Sequence, residues 1–245
     1  MKTAIALVTG GTGGIGTAIC QKLSQAGLKV AAAYHHEEKA KQWVKKQEEL
    51  GYHFFIVPSK VEDFESCGKT VAAVEEALGP IDVLVNNAGI TRDTQLKNMS
   101  YEQWQEVIHT NLDSVFNMTR QAINGMITRN YGRIINISSI NGQKGQFGQA
   151  NYSAAKAGIH GFTKAVAQEV AKKGITVNTI SPGYIGTEMV MAVPEDIRQK
   201  IIAQIPVGRL GEPQEIAHAV AFLASPDSGF ITGSNLSLNG GQHLY

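Results

Sequence analysis

Cysteine is scarce in this chain of 245 residues: there are two, Cys20 and Cys67, both at apolar positions of helical patterns. Two such thiols build no disulfide framework. Excess charge of either sign is missing as well. Lysine and arginine total 22 against 21 acids, a formal net charge of +1. Neither nucleic acid nor an anionic membrane is therefore expected as a partner, and any bound anion must be held locally. No apolar run reaches the length that crosses a bilayer. The opening MKTAIALVTGG has a lysine before its apolar residues, but the run breaks at Thr-Gly-Gly too early for a signal sequence and reads as a first buried strand. Internal repeats, low-complexity tracts and linkers rich in Pro, Gly or Ser are also absent. A single domain over 1–245, located in the cytoplasm and without a metal, is the expectation.

What the chain does contain is 43% hydrophobic residues, enough for one substantial core. Short β-branched runs alternate with amphipathic helical stretches, the pattern of a parallel sheet covered on both faces. The strand candidates are AIALVT, LKVAAAY, HFFIVP, IDVLVN, GRIINIS, ITVNTIS and NLSLN. Helical spacing relates Ile15, Ile19 and Leu23; Ala40, Trp43, Val44 and Leu50; and Phe64, Cys67, Val71, Val74 and Leu78. Ser100 and Gln103 form a capping box, opening a long helix whose predicted inward stripe is Trp104, Val107, Ile108, Leu112, Val115, Phe116, Ile123 and Met126. Asn111 interrupts that stripe. A buried amide is costly unless fully hydrogen-bonded, so on its own it reads as a tie between two backbones. Residues 186–211 are the least sheet-like. Their Met189, Val190, Met191 and Val193, with a helix from about Glu195, are expected to form a lid over a pocket.

In LVTGGTGGIGTAI, Gly10, Gly14 and Gly16 stand where the first strand meets the first helix, with Thr12, Gly13 and Ile15 in the same turn. Glycines there permit close approach to a pyrophosphate, and free N–H groups at the helix start supply donors. A plain tight turn would use the same glycines, but the strand-to-helix setting favours dinucleotide binding. A second segment, QKGQFGQANYSAAK, is a polar loop leading into a helix. That helix carries Tyr152 and Lys156 four residues apart on one face. An unperturbed phenol titrates near 10 and is a poor proton shuttle at neutral pH; a nearby ammonium lowers it. Ser139 leaves the fifth strand at the same edge of the sheet.

The spacing Gly-x-x-x-Gly-x-Gly after Thr9, Asn86-Asn87-Ala88-Gly89, Asn111, Ser139, Tyr152, Lys156 and Pro182-Gly183 resembles the short-chain dehydrogenase/reductase family over essentially the whole chain. The resemblance implies a Rossmann-type doubly wound sheet of about seven strands in an α/β/α sandwich. It also implies a cofactor site built from Gly10, Thr12, Gly13, Gly14, Ile15, Gly16, Asn87, Ala88, Gly89, Ile90, Tyr152, Lys156, Pro182, Gly183 and Ile185. No carboxylate stands at Ala33, Tyr34, His35 or His36, and Lys39 is within reach of a phosphate, which points to NADP(H). Relatives using NADP often carry an arginine in the glycine turn; here that position is Gly13. Where the family often has an acid beside a valine for the adenine, this chain has Lys60 and Val61, with Asp63 nearby.

By the same resemblance, Tyr152 gives a proton to a substrate carbonyl, Lys156 tunes the phenol and holds the nicotinamide ribose, and Ser139 binds the same oxygen. Asn111 would anchor a water leading from Lys156. NGQKGQFGQANYSAAKAG, NNAGITRD and SPGYI look most like the branch that reduces acetoacetyl-CoA to (R)-3-hydroxybutyryl-CoA for polyhydroxybutyrate synthesis. Gln146 and Gln149 would then meet the acyl carbonyls, Phe147 the acyl chain, Tyr184 the thioester and Asp93 the entrance; simple solvation of a polar loop is the alternative. Lys97 and Lys144 could meet coenzyme A phosphates. A rival reading takes an acyl-carrier-protein thioester, with Arg129, Lys172 and Lys173 facing the carrier. A third is a nucleotide-binding regulator without activity, which should lack one of Ser139, Tyr152 and Lys156. A homotetramer is expected, with SLNGGQHLY packing on a neighbour.

Overall fold

The first predicted strand, β1 (Ile5–Thr9), is buried at every residue, as a central parallel strand requires when helices cover both faces. It belongs to a computed structural model that describes residues 3–244; Met1, Lys2, Tyr245 and the side chain of Met189 lie outside the described residues. The expected roles of Met189 in the lid and Tyr245 in a C-terminal contact therefore fall outside it too.

After β1 the chain runs through α1 (Gly14–Gln25), β2 (Lys29–Tyr34), α2 (Glu37–Glu49), β3 (Phe55–Pro58), α3 (Phe64–Leu78) and β4 (Val83–Asn86). Helices α4 (Tyr101–Ile108) and α5 (Ser114–Arg129) follow, then β5 (Gly132–Ile137), α6 (Ile140–Lys144), α7 (Ala150–Val170) and β6 (Ile175–Pro182). Helices α8 (Glu188–Met191), α9 (Glu195–Ile202) and α10 (Pro213–Ala224) precede β7 (Asn235–Leu238). The seven strands form one parallel sheet in the order β3-β2-β1-β4-β5-β6-β7. Chain direction across the sheet reverses between β1 and β4, which opens a crevice at their C-terminal ends.

Two buried clusters sandwich the sheet. Ile19 and Leu23 of α1 pack with Val220 and Leu223 of α10 on one face; Val71, Val74, Met118, Met126 and Ala167 fill the other. The predicted strands and most helix stripes agree with this arrangement. Four residues do not. Leu50, Phe64, Trp104 and Phe116 are exposed rather than inward. Leu50 caps α2 after its last turn, and Phe64 stacks on Phe116 across the α3 and α5 surface, with ring centroids 6.1 Å apart.

The single long helix predicted after Ser100 is interrupted. Its capping box is present, with Ser100 Oγ accepting from Gln103 N and Gln103 Oε1 accepting from Ser100 N. Between α4 and α5 the backbone widens into a π turn, His109–Asp113, whose buried member is Asn111. Such bulges occur preferentially at functional sites. Asn111 is fully buried there and bonds to Ile90, just beyond the end of β4.

The predicted lid is anchored at its base. Ile185 pairs with Gly211, Gly186 N donates to Gly211 O at 2.8 Å, and Gly211 N donates to Tyr184 O at 2.9 Å. Arg209 adds a bidentate ion pair with Glu215 at the start of α10, both contacts at 2.8 Å. Among the described residues no helix is long and apolar enough to cross a membrane. Both cysteines are buried free thiols.

Candidate active site

The crevice at the C-terminal ends of β1, β4, β5 and β6 is a cleft of about 730 Å³. One end is the glycine turn, with Gly10, Thr12, Gly13, Gly14, Ile15 and Gly16 on its wall. Gly10 adopts φ +60°, a conformation that favours glycine. A side chain at Gly16 would place its Cβ 2.1 Å from Gly10 O, so only glycine lets α1 start directly against the turn. The start of α1 has no side-chain cap and no acid in its first turn, leaving its N–H groups and positive dipole end for an anion. Asn87 braces the turn by donating to Thr9 O at 3.0 Å and Gly10 O at 3.2 Å. Thr9 Oγ1 in turn accepts from Asn87 N and Ala88 N.

Past the end of β2, Tyr34, His35, His36 and Lys39 line the same cleft. Glu37 and Glu38 pair with Lys41 at 2.9 and 3.2 Å. Lys60 and Val61 stand apart from the cleft lining. Val61 is buried, and its carbonyl accepts from Asn117 Nδ2 at 3.0 Å. Asp63, offered as a substitute adenine ligand, caps α3 by accepting from Ser66 N at 2.6 Å and is not in the cleft lining.

The other end of the cleft gathers Asn87, Ala88, Gly89, Ile90, Ser139, Gln149, Tyr152, Lys156, Pro182, Gly183, Tyr184 and Ile185. Ser139 is the N-cap of α6: its Oγ accepts from Asn141 N at 3.1 Å, so its hydroxyl proton is free to point at the phenol or a ligand. Tyr152 is hydrogen-bonded to Ser139. Lys156 is 3% exposed, with Nζ donating to Ile137 O at 2.8 Å and lying 5.6 Å from the centroid of the Tyr152 ring.

These positions correct the expected electrostatics. The phenol was expected to be lowered by the Lys156 ammonium. Burial instead raises it above its ordinary value, opposed by the Ser139 hydrogen bond and reinforced by the Asp93 carboxylate. The ammonium sits over the ring face and is turned to a backbone carbonyl, and burial lowers it to about 8. Tyr184 is raised as well, by burial and by Asp93.

Asn111 lies behind the cleft wall. Its amide donates to Ile90 O at 3.0 Å and Val107 O at 2.8 Å, and its oxygen accepts from Ile90 N at 3.2 Å. The tie between two backbones is thus present. It needs a glycine opposite, because a Cβ on Gly89 would come within 2.5 Å of Asn111 Oδ1.

Among the expected substrate contacts, Gln149 and Tyr184 line the cleft, and Asp93 joins at its mouth by accepting from Gln149 Nε2 at 2.8 Å. Gln146 and Phe147 are placed elsewhere. They line an adjoining depression with Leu96, Lys97 and Ser153, and Phe147 is 81% exposed. The sequence reading missed Asn141, Ser138, Thr91, Thr187 and Glu188 in the lining. Asn141 follows a serine that ends a strand by two residues, the position an N-cap serine contacts; that was its only signal. Thr187 follows β6 closely enough to reach the glycine turn, its Cγ2 3.2 Å from where a Cβ on Gly14 would stand.

The glycine cradle, the uncapped helix start and a continuous cleft reaching Tyr152 fit a dinucleotide with its pyrophosphate at α1 and its nicotinamide beside Lys156. Comparison with known proteins agrees. A family model described as enoyl-(acyl carrier protein) reductase matches residues 10–243. The chain is 60% identical over 242 residues to the acetoacetyl-CoA reductase of Rhizobium meliloti, covering 98% of each protein. It is 54% identical over 245 residues to the acetoacetyl-CoA reductase of Cupriavidus necator, covering all of both. The 3-oxoacyl-[acyl-carrier-protein] reductase of Vibrio cholerae is 45% identical over 240 residues, covering 98% of this chain and 97% of that one. With its seven-stranded parallel sheet, its glycine turn and its Ser139, Tyr152 and Lys156 on one cleft, the chain belongs to the short-chain dehydrogenase/reductase family.

Proposed function

We propose that the protein reduces acetoacetyl-CoA to (R)-3-hydroxybutyryl-CoA with NADPH, supplying polyhydroxybutyrate synthesis in the cytoplasm. The observation that carries this reading is the convergence of Ser139, Tyr152, Lys156, Gln149 and Tyr184 on one end of a nucleotide-sized cleft. Full-length relatives named acetoacetyl-CoA reductase support the choice of substrate. Arg129 supports the carrier-protein rival little, since its guanidinium donates to Ile81 O and pairs with Asp82. The intact Ser139, Tyr152 and Lys156 set argues against a regulator without activity.

Gly10, Gly13, Gly14, Ile15 and Gly16 would hold the pyrophosphate, and Asn87, Ala88, Gly89, Ile90, Pro182, Gly183 and Ile185 the nicotinamide half. Lys39, which lines the cleft together with His35 and His36, supports a 2′-phosphate. When bound, NADPH supplies the hydride. The ketone oxygen would accept from Ser139 Oγ and Tyr152 Oη. Burial keeps the phenol protonated through the neutral range, so Tyr152 is loaded as a general acid for reduction. An alkoxide far more basic than any phenol takes that proton, the hydrogen bond from Ser139 stabilises the phenolate left behind, and Lys156 would hold the nicotinamide ribose. Gln149 donates to the second carbonyl, and the lid of residues 186–211 closes over the acyl group within the single domain.

The test compares acetoacetyl-CoA with the corresponding carrier-protein thioester, using NADPH and NADH for each. Preference for the coenzyme A thioester and NADPH supports the proposal. A strong preference for the carrier thioester overturns it in favour of a reductase of fatty acid synthesis.

A further inference from the structure

We propose that Asn141 is a positioning residue that fixes Gln149 as a hydrogen-bond donor to the thioester carbonyl of the substrate. This rests on the reading of the site as one for a 3-oxoacyl thioester.

Three side chains cross the mouth of the cleft in one line. Asn141 Nδ2 donates to Gln149 Oε1 at 2.8 Å, and Gln149 Nε2 donates to Asp93 Oδ2 at 2.8 Å. The direction of this line is set at one end. A carboxylate only accepts, so Gln149 must turn its nitrogen to Asp93 and its oxygen away. Asn141 must then turn its own nitrogen to that oxygen, since two amide oxygens facing each other repel. The arrangement has a visible cost: Asn141 Oδ1 is buried without a hydrogen-bond partner, on a residue 8% exposed. Orientation toward Gln149 prevails over satisfying that oxygen.

The consequence falls on the substrate. With one Nε2 proton on Asp93 and Oε1 turned to Asn141, the remaining Nε2 proton is what Gln149 offers a ligand. A carbonyl is favoured there and a donor is rejected. Ser139 and Tyr152 offer donors to one carbonyl, and Gln149 offers a donor to another, which matches a 1,3-dicarbonyl unit. Asn141 also binds Ser139 Oγ through its backbone N–H, so one residue holds both donor sets in relation to each other.

The sharpest test is Asn141→Asp, which keeps the shape and replaces the donor by an acceptor. At pH 8 the KM for acetoacetyl-CoA should rise about tenfold, the size of one lost hydrogen bond, with the KM for NADPH unchanged. As the pH falls and the introduced carboxyl protonates, it regains an O–H donor for Gln149 Oε1, and the KM should return toward wild type. Asn141→Leu should show the rise without the pH response. The double substitution Asp93→Asn with Asn141→Asp reverses the line while leaving every pair satisfied. It should recover the wild-type melting temperature but not the KM.

An unchanged KM in Asn141→Asp at pH 8 overturns the inference, as does a raised KM that ignores pH. Recovery of KM together with melting temperature in the double variant also overturns it, because that is the behaviour of a purely structural residue. If wild-type protein reduces no 3-oxoacyl thioester at all, the substrate reading fails, and this inference with it; the wild-type arm separates the two cases.

Discussion

Tyr152 and Lys156 illustrate what a sequence discloses about a site. Their spacing placed them on one face of α7 and beside Ser139, and the structure agrees. The sign of their mutual influence was not legible, because it depends on where Nζ points and how much water reaches the phenol. Burial raises Tyr152 and lowers Lys156 to about 8. The rate of ketone reduction should therefore stay level through neutral pH and fall as pH rises past about 8, where the ammonium is lost and then the phenol ionises. The reverse oxidation needs the phenolate and should rise over the same range; a stopped-flow pH profile in both directions checks the signs. Stability follows the same shift. Lys156 releases its proton in the folded state near 8 and in the unfolded state near 10.5, so between those values the unfolded chain binds more protons. Wild-type stability relative to Lys156→Met should increase with pH across that window, and denaturant melts at pH 7.5 and 10 would show it.

The elements were the most legible level. Short β-branched runs between amphipathic helical stretches gave all seven strands and the order of the helices, because central parallel strands are buried on both faces and read as continuous apolar runs. The π turn at His109–Asp113 was not legible, since one inserted residue leaves the apolar stripe nearly unchanged, with Asn111 still on its buried side. Exposed Phe64 and Phe116 were misread for a related reason: periodicity marks an apolar face but not what covers it. The glycine turn supports a sharp expectation. Gly16→Ala forces its Cβ against Gly10 O and should cost about 1–3 kcal/mol of stability and weaken dinucleotide binding together. Asp63→Ala removes the α3 cap and should cost about 1 kcal/mol while leaving the KM for NADPH unchanged, because Asp63 stands outside the cleft lining. Thermal melts with and without NADPH distinguish the two.

At the scale of the molecule, the sheet brings residues from β1, β4, β5 and β6 to one edge, where Thr187, Glu188 and Val190 of the segment 186–211 join the lining of the cleft. Assembly was beyond the sequence, since which exposed apolar residues meet a neighbour depends on the neighbour. We expect a homotetramer, for which light scattering should give four times 26.3 kDa; a mass of one chain would refute it. The proposed chemistry depends on one proton delivered from Tyr152. Replacing Tyr152 by Phe removes that proton and little else, and the kcat for acetoacetyl-CoA reduction should fall by roughly 10²–10⁴-fold while NADPH still binds. Turnover equal to wild type in Tyr152→Phe would contradict the account.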